Sequence, residues 1–377
     1  MKDNNKIVYL DNAATTKVSE EVVALFVNSE KDNFANPNSI HALGIKNAKR
    51  VQIAKENILK SFRLTKHKVI LTSSATEANN LAIKGYCLKY ANRGKHIITT
   101  NIEHPSVLEC FNQLKDQFGY KITVLEVNSK GCVSTSQIKE AMDKDTILVS
   151  VMAVNNEIGS VNPINEIADV VHAFPKANLH VDTTQAIGKI DLDYSKIDMF
   201  VVSSHKIHGL KGSGALIYKS SLSFLPLLSG GGQEDGFRSS TVSVANAETI
   251  ALAINNALKE DRNAIKDLRN KLVEGLSKID GVELNSDEDC SPYIVNFSLS
   301  KKKASVVVED LSNKGIYVSS VSACNSKKEP YSYVVKALGK SDALAHNTIR
   351  VSFSKDNTLE DVELFLKELK NTLEAIR

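Results

Sequence analysis

The chain has 377 residues, with 47 basic and 44 acidic side chains, 42% apolar content and 24% charged content. This excludes a disordered chain, which lacks the apolar residues for a core, and a collagen- or mucin-like one, which needs far more Gly, Pro and Ser. A net charge of +3 supplies no basic footprint for direct nucleic-acid binding, and the length suits about two or three domains.

Residues 1–16 lack the apolar core of a secretory signal, and no apolar run approaches the length of a membrane span. A cytoplasmic location without a membrane partner is expected. After Val8-Tyr9-Leu10, β-rich runs at Val69 to Thr72, Ile97 to Thr100, Ile122 to Leu125, Ile147 to Met152, Leu179 to Val181, Phe200 to Val202 and Ala215 to Tyr218 alternate with helical patterns. One such pattern, Ile45, Ala48, Val51, Ala54, Ile58 and Phe62, predicts a helix with an apolar stripe. Alternating strands and helices predict an α/β fold with a mostly parallel central sheet flanked by helices. After about residue 260 the pattern changes: a charged helix over Lys259 to Leu276, a strand over Tyr293 to Leu299, a helix over Ala304 to Asn313, strands at Ile316 to Val318 and Ile349 to Phe353, and a last helix from Leu359 to Ile376. These predict a smaller α+β C-terminal domain.

Ser203-Ser204-His205-Lys206 directly follows an apolar run, so Lys206 falls just past a strand end, where α/β proteins place ligands. An amine there could condense with an aldehyde cofactor; a solvated loop lysine is the plain alternative. Asp182 also ends a strand and could pair with a pyridine nitrogen, with Gln185 near the ring hydroxyl, or it could cap the next helix. In Thr72-Ser73-Ser74-Ala75-Thr76-Glu77 a strand turns into a helix, a start that could cradle phosphate or simply be capped by a hydroxyl.

Five cysteines, Cys87, Cys110, Cys132, Cys290 and Cys324, show no pair at metal-ligand spacing, so neither a metal site nor a disulfide framework is expected. Cys87, Cys110 and Cys132 read as buried small hydrophobes. Cys290 reads as exposed, its thiol pushed up by Asp287, Glu288 and Asp289. Cys324 lies among small polar residues, with Lys327 and Lys328 just after it, and is the best nucleophile candidate on an exposed loop.

These segments, together with Leu10-Asp11-Asn12-Ala13-Ala14, Asn36-Pro37-Asn38-Ser39-Ile40-His41, Glu103-His104, Asn155-Asn156-Glu157-Ile158-Gly159, Gly230-Gly231-Gly232-Gln233-Glu234, Ser322-Ala323-Cys324 and Ile349-Arg350, resemble the cysteine desulfurases of the NifS/IscS type. Those are class V aminotransferase relatives with the pyridoxal-phosphate fold type I. The resemblance implies pyridoxal 5'-phosphate bound through Lys206, which also moves the substrate Cα proton, and His104 stacked on the ring and assisting that transfer. It implies Asp182 on the ring nitrogen, Asn155 and Gln185 on the hydroxyl side, and Ala75, Thr76, Ser203 and His205 on the phosphate. Thr241 would reach in from the partner of a homodimer, Asn155 and Arg350 would meet the L-cysteine substrate, and Cys324 would receive its sulfur as a persulfide, leaving alanine. The sulfur acceptor stays open between an iron–sulfur scaffold and a tRNA-thiolating enzyme, and a selenocysteine lyase, another class V enzyme or a non-catalytic sulfur-transfer subunit are the rival readings. The implied domains are an N-terminal segment 1–15 packing with the small domain, a large cofactor domain 16–259, and a small domain 260–377 carrying the Cys324 loop. Ser74, Ser204, Ser240 and Asp235 depart from the family pattern, and a positive φ at Ser74 would strain its turn.

Overall fold

The computed structural model describes residues 7–320 and 331–375. Its strands are β1 (Val8–Tyr9), β2 (His67–Thr72), β3 (His96–Thr100), β4 (Lys121–Leu125), β5 (Thr146–Met152), β6 (Asn178–Asp182), β7 (Met199–Ser203), β8 (Gly214–Lys219), β9 (Val282–Leu284), β10 (Ile294–Leu299), β11 (Ile316–Tyr317), β12 (Ser319–Ser320) and β13 (Thr348–Ser352). Seven of them form one sheet in the order β2-β8-β7-β6-β5-β3-β4. Only β8 runs against its neighbours there, so the sheet is mostly parallel. Strands β5 and β7 are buried along their whole length, which is why they read as continuous apolar runs rather than alternating ones.

Successive residues of the sheet feed two separate cores, as the pleat requires. Phe200, Val202, Ala215 and Ile217 pack with the helices Ala42–Ser61, Ile164–His172 and Val244–Ala257. Val201, Leu216 and Tyr218 face the other way, onto the helix Pro105–Phe118 and the helical run through residues 75–89. The sheet is thus flanked by helices on both faces.

A third apolar cluster lies around the antiparallel sheet β12-β13-β10-β9. The helices Asn263–Leu276, Ala304–Asn313 and Leu359–Ala375 pack on it, and Val8 and Leu10 join it. The N-terminal segment is held there by parallel pairing of β1 with β11 and a bridge from Asp11 to Ser352.

Two helices differ from expectation. The helix read as Lys259 to Leu276 is shorter: it opens only at Asn263, whose N–H donates to Asp261 Oδ1, and runs unbroken to Leu276. In Ala42–Ser61 the inward face begins with Gly44 and Asn47, not Ile45 and Ala48. Asn47 donates to the Asn33 and Ala35 carbonyls, and a Cβ on Gly44 would lie 2.2 Å from the Ser39 carbonyl oxygen. These backbone contacts set the helix rotation and leave Leu43 and Ile45 outside.

Candidate active site

The parallel strands β2, β5, β6 and β7 end on one edge of the large sheet, and a cavity of about 300 Å³ opens there, where an open α/β sheet places its ligand. Lys206 stands in it at the end of the short turn Ser204–Lys206 that follows β7. The N-terminal segment crosses this turn: Thr16 donates its N–H and hydroxyl to the His205 carbonyl at 2.9 and 3.0 Å. Lys206 Nζ donates in return to the carbonyls of Ala13 and Ala14 at 2.7 and 2.6 Å.

Asp182 closes β6 and lines the cavity. Its carboxylate accepts from Asn79 Nδ2 at 2.9 Å and from the Thr184 N–H at 3.0 Å. His104 caps the helix Pro105–Phe118, with Nδ1 accepting from the Ser106 N–H at 3.1 Å. An acceptor at Nδ1 puts the proton on Nε2. The ring is reachable from the cavity yet walled by protein, and burial holds its pKa below the usual imidazole value, opposed by Asp182 and aided by Lys206. His205 is pushed down to about 4 by burial and then by Lys206, Lys211 and Lys189; it too is neutral at neutral pH.

Ala75 and Thr76 begin the helical run at the cavity wall, with Ser203 and His205 on the same wall. Ser74 Oγ accepts from the Glu77 N–H, while the other first-turn N–H groups have no acceptor within the helix. Ser74 has φ −170°, an extended backbone open to any residue, so the serine brings no strain. Gly214 on β8 lets this turn sit close, since a Cβ there would lie 2.8 Å from the Ser74 carbonyl carbon. Ser204 is accommodated similarly: a Cβ on Gly209 would lie 1.9 Å from Ser204 Oγ. This donor set suits pyridoxal phosphate: helix-start N–H groups with no acceptor in their own helix for a phosphate, a carboxylate for a pyridine nitrogen, an amine for an aldehyde, and a chamber of ligand size.

Arg350 projects from β13 into the same cavity. It donates to the Asn156 carbonyl at 2.9 Å and to Asp11 Oδ1 at 2.8 Å, and its buried Nε has no hydrogen-bond partner among the described residues. Glu157, also on the wall, accepts from Ser332 Oγ at 2.5 Å; burial raises its pKa, with Ser332 and Arg350 opposing.

Two expected site residues stand apart. Asn155 is fully buried behind the wall, and its carboxamide is taken up: Oδ1 accepts from the Glu157 and Ile158 N–H groups, and Nδ2 donates to the Ile102 carbonyl. It shapes the turn that carries Asn156 and Glu157 rather than facing the chamber. Thr241 is exposed and lines a separate hollow with Ser240 and Arg238. Cys324 lies outside the described residues.

Cys290 is buried, not exposed as expected, because Asp287 to Ser291 folds back under Gly159, whose carbonyl accepts from the Ser291 N–H. Burial pushes its thiol up to about 11. Burial also raises Cys87 and Cys132 and pushes Cys110 up to about 12, so none of the four described cysteines is a ready thiolate.

Asp11, Asn79 and Glu157 stand near the chemistry without a role expected from their local sequence. Asp11 and Glu157 lie inside the family-like strings and Asn79 lies two residues past Glu77, but their use depends on partners 339, 175 and 103 residues away. Lys189 lies in no motif that points to chemistry.

The aminotransferase class-V family model matches residues 8–365. A protein of Clostridium botulinum described as cysteine desulfurase IscS is 37% identical over 99% of this chain and 96% of its own length. Among solved structures, one titled NifS-like protein superposes with a TM-score of 0.91 at 34% identity, covering 98% of this chain and all of that one. Another, titled SspA in complex with cysteine, has a TM-score of 0.80 at 30% identity, covering 92% of this chain and 98% of that one. The chain belongs to the class-V aminotransferase family, among its pyridoxal-phosphate-dependent cysteine desulfurases of the NifS/IscS type.

Proposed function

We propose that this chain takes the sulfur of L-cysteine, leaves alanine, and carries the sulfur as a persulfide on Cys324 to an acceptor protein. The observation that carries this reading is the meeting of Lys206, Asp182, His104 and Arg350 in one cavity, with Ser320, four residues before Cys324 in the sequence, on its wall. Pyridoxal phosphate bound there supplies an electron sink next to the substrate Cα.

The protein side chains divide the remaining work. Arg350, anchored by Asp11 and Asn156, offers its remaining N–H groups to the substrate carboxylate as a planar fork. Asp182, held by Asn79 and Thr184, presents its charge to the ring nitrogen. Gln185 meets the ring hydroxyl side, and Ala75, Thr76, Ser203 and His205 hold the phosphate. Lys206 takes the Cα proton and returns it, its amine guided by the Ala13 and Ala14 carbonyls. His104, neutral with its proton on Nε2, assists that transfer. The Cys324 sulfur then bonds to the substrate sulfur as the substrate Cβ–S bond breaks. The enzyme thiol is oxidised to the persulfide level, Cβ is reduced to a methyl group, and alanine leaves.

The functional unit is a homodimer in which Thr241 serves the partner's phosphate site. Supporting this, Thr241 is exposed and lines a hollow separate from its own chain's cavity, and Phe34 at 77%, Ile40 at 94% and Leu43 at 52% exposure are large apolar side chains left in solvent. The acceptor is an iron–sulfur scaffold or a tRNA-thiolating enzyme. The compartment is the cytoplasm: the four described cysteines are all free, as in a reducing environment, and no described helix is long and apolar enough to cross a membrane. Incubation of the purified protein with L-cysteine tests the reading. Alanine should form in step with transferable sulfur, whereas sulfide with pyruvate instead of alanine would contradict it.

A further inference from the structure

Four residues after Gln185, Lys189 is buried at 9% exposure, and no role above uses it. Its Nζ donates to Gln185 Oε1 at 2.9 Å. The protonated amine has donors only, so in that form the carboxamide oxygen is the end that faces it. The NH2 end of Gln185 therefore turns the other way, and Nε2 donates to the Ala13 carbonyl at 2.9 Å. That same carbonyl accepts from Lys206 Nζ at 2.7 Å. One unbroken series of hydrogen bonds runs from Lys189 through Gln185 and Ala13 to Lys206.

The surroundings of Lys189 give it no carboxylate within salt-bridge distance among the described residues. The Tyr293 ring lies 5.7 Å from Nζ, and Lys189, Lys206, His208, Glu260 and Tyr293 line a common chamber of about 20 Å³, room for a single water. The charges acting on it are Lys206 and Arg350, which repel, and Glu260, which attracts. Burial, then the repulsion of Lys206, pushes its ammonium down to about 7. An apolar side chain of the same length would fill this place without that desolvation; what it could not do is hold the Gln185 oxygen.

We propose that Lys189 is a positioning residue for the Lys206 site. By holding Gln185 Oε1 it fixes the carboxamide with its NH2 end toward Ala13 and the cavity, so that Gln185 meets the cofactor as a donor and the Ala13 carbonyl keeps its place on Lys206. The inference rests on the reading of Lys206 and Gln185 as cofactor contacts. Were the carboxamide reversed, its oxygen would face the Ala13 carbonyl oxygen with no proton between them.

The test is a pH titration of the bound cofactor's absorbance in purified holoenzyme, compared among the parent, Lys189→Met, Gln185→Leu and the double variant. Each single substitution should displace the midpoint by at least about half a pH unit, an energy well within reach of one hydrogen bond. The double variant should move no further than Gln185→Leu alone, because Lys189 acts through Gln185. An unmoved midpoint in Lys189→Met, or shifts that add in the double variant, would overturn the inference. A parent protein that shows no lysine-bound cofactor absorbance would overturn the reading of Lys206 and the inference with it. Should Lys189→Met not accumulate as folded protein, a crystal structure of the unaltered holoenzyme decides. Lys189 within hydrogen-bonding distance of Gln185, whose other end meets Ala13, is expected; Lys189 paired instead with Glu260 would overturn it.

Discussion

The amine of Lys206 and the fork of Arg350 carry the sharpest consequences of single substitutions. Lys206→Ala should lower alanine formation by about 10² to 10⁴-fold, the usual worth of a positioned proton carrier, and release the cofactor on gel filtration. Arg350→Lys should raise KM for L-cysteine about tenfold or more with a smaller change in kcat, since an ammonium cannot reproduce the bidentate contact; steady-state kinetics read this directly. Glu103 offers a pH signature. It is fully buried, held by the Met152 N–H and the Thr100 hydroxyl, and burial pushes it up to about 8 from an ordinary 4.5. Between those values the folded protein binds one more proton than the unfolded chain, so the Glu103 contribution is whole below about pH 4.5 and is lost as pH rises toward 8. Glu103→Gln should therefore flatten the fall in melting temperature between pH 6 and 8; an unchanged profile would contradict a buried acid. The residues named from sequence as Lys206, Asp182, His104 and Arg350 stand around one cavity because each follows a strand end, lies in a strand or starts a helix, which local patterns reveal. The job of Asn155 was not legible, because whether an amide faces a chamber or the backbone behind it depends on the turn Asn155 to Gly159 closing on itself.

Elements were legible where their apolar pattern was dense. The strands of the large sheet extend by a residue or two beyond the runs read from sequence, as with Thr146–Met152, since polar residues at strand ends still pair. The rotation of the helix Ala42–Ser61 was not legible, because Asn47 and Gly44 face inward for backbone contacts that periodicity does not record. The serine that departs from the family pattern before His205 has its compensation five residues later in Gly209. Gly209→Ala should destabilise the protein by about 1–3 kcal/mol through overpacking against Ser204 Oγ. Adding Ser204→Ala should recover part of that loss, since the closest contact, at 1.9 Å, is to the hydroxyl oxygen, while the Ser204 carbonyl oxygen at 2.9 Å stays. Thermal denaturation of both variants measures the pair; an equal loss in the double variant would place the strain elsewhere.

At the scale of the whole molecule, the two larger sheets meet around the chemistry. The large sheet supplies Lys206, Asp182 and His104, the small sheet supplies Arg350, and the N-terminal segment ties them by giving Asp11 to Arg350 and the Ala13 and Ala14 carbonyls to Lys206. The exposed apolar side chains of Phe34, Ile40 and Leu43 bear on assembly: the protein should sediment as a dimer, and Ile40→Asp should weaken that dimer. The most direct measurement is to incubate the cofactor-loaded protein with L-cysteine, quantify alanine, and locate added sulfur by peptide mass spectrometry. One extra sulfur on the Cys324 peptide, abolished in Cys324→Ala while the cofactor absorbance persists, is the expected result. Alanine formed with no added sulfur on that peptide, or added sulfur on Cys87, Cys110, Cys132 or Cys290 instead, would contradict it.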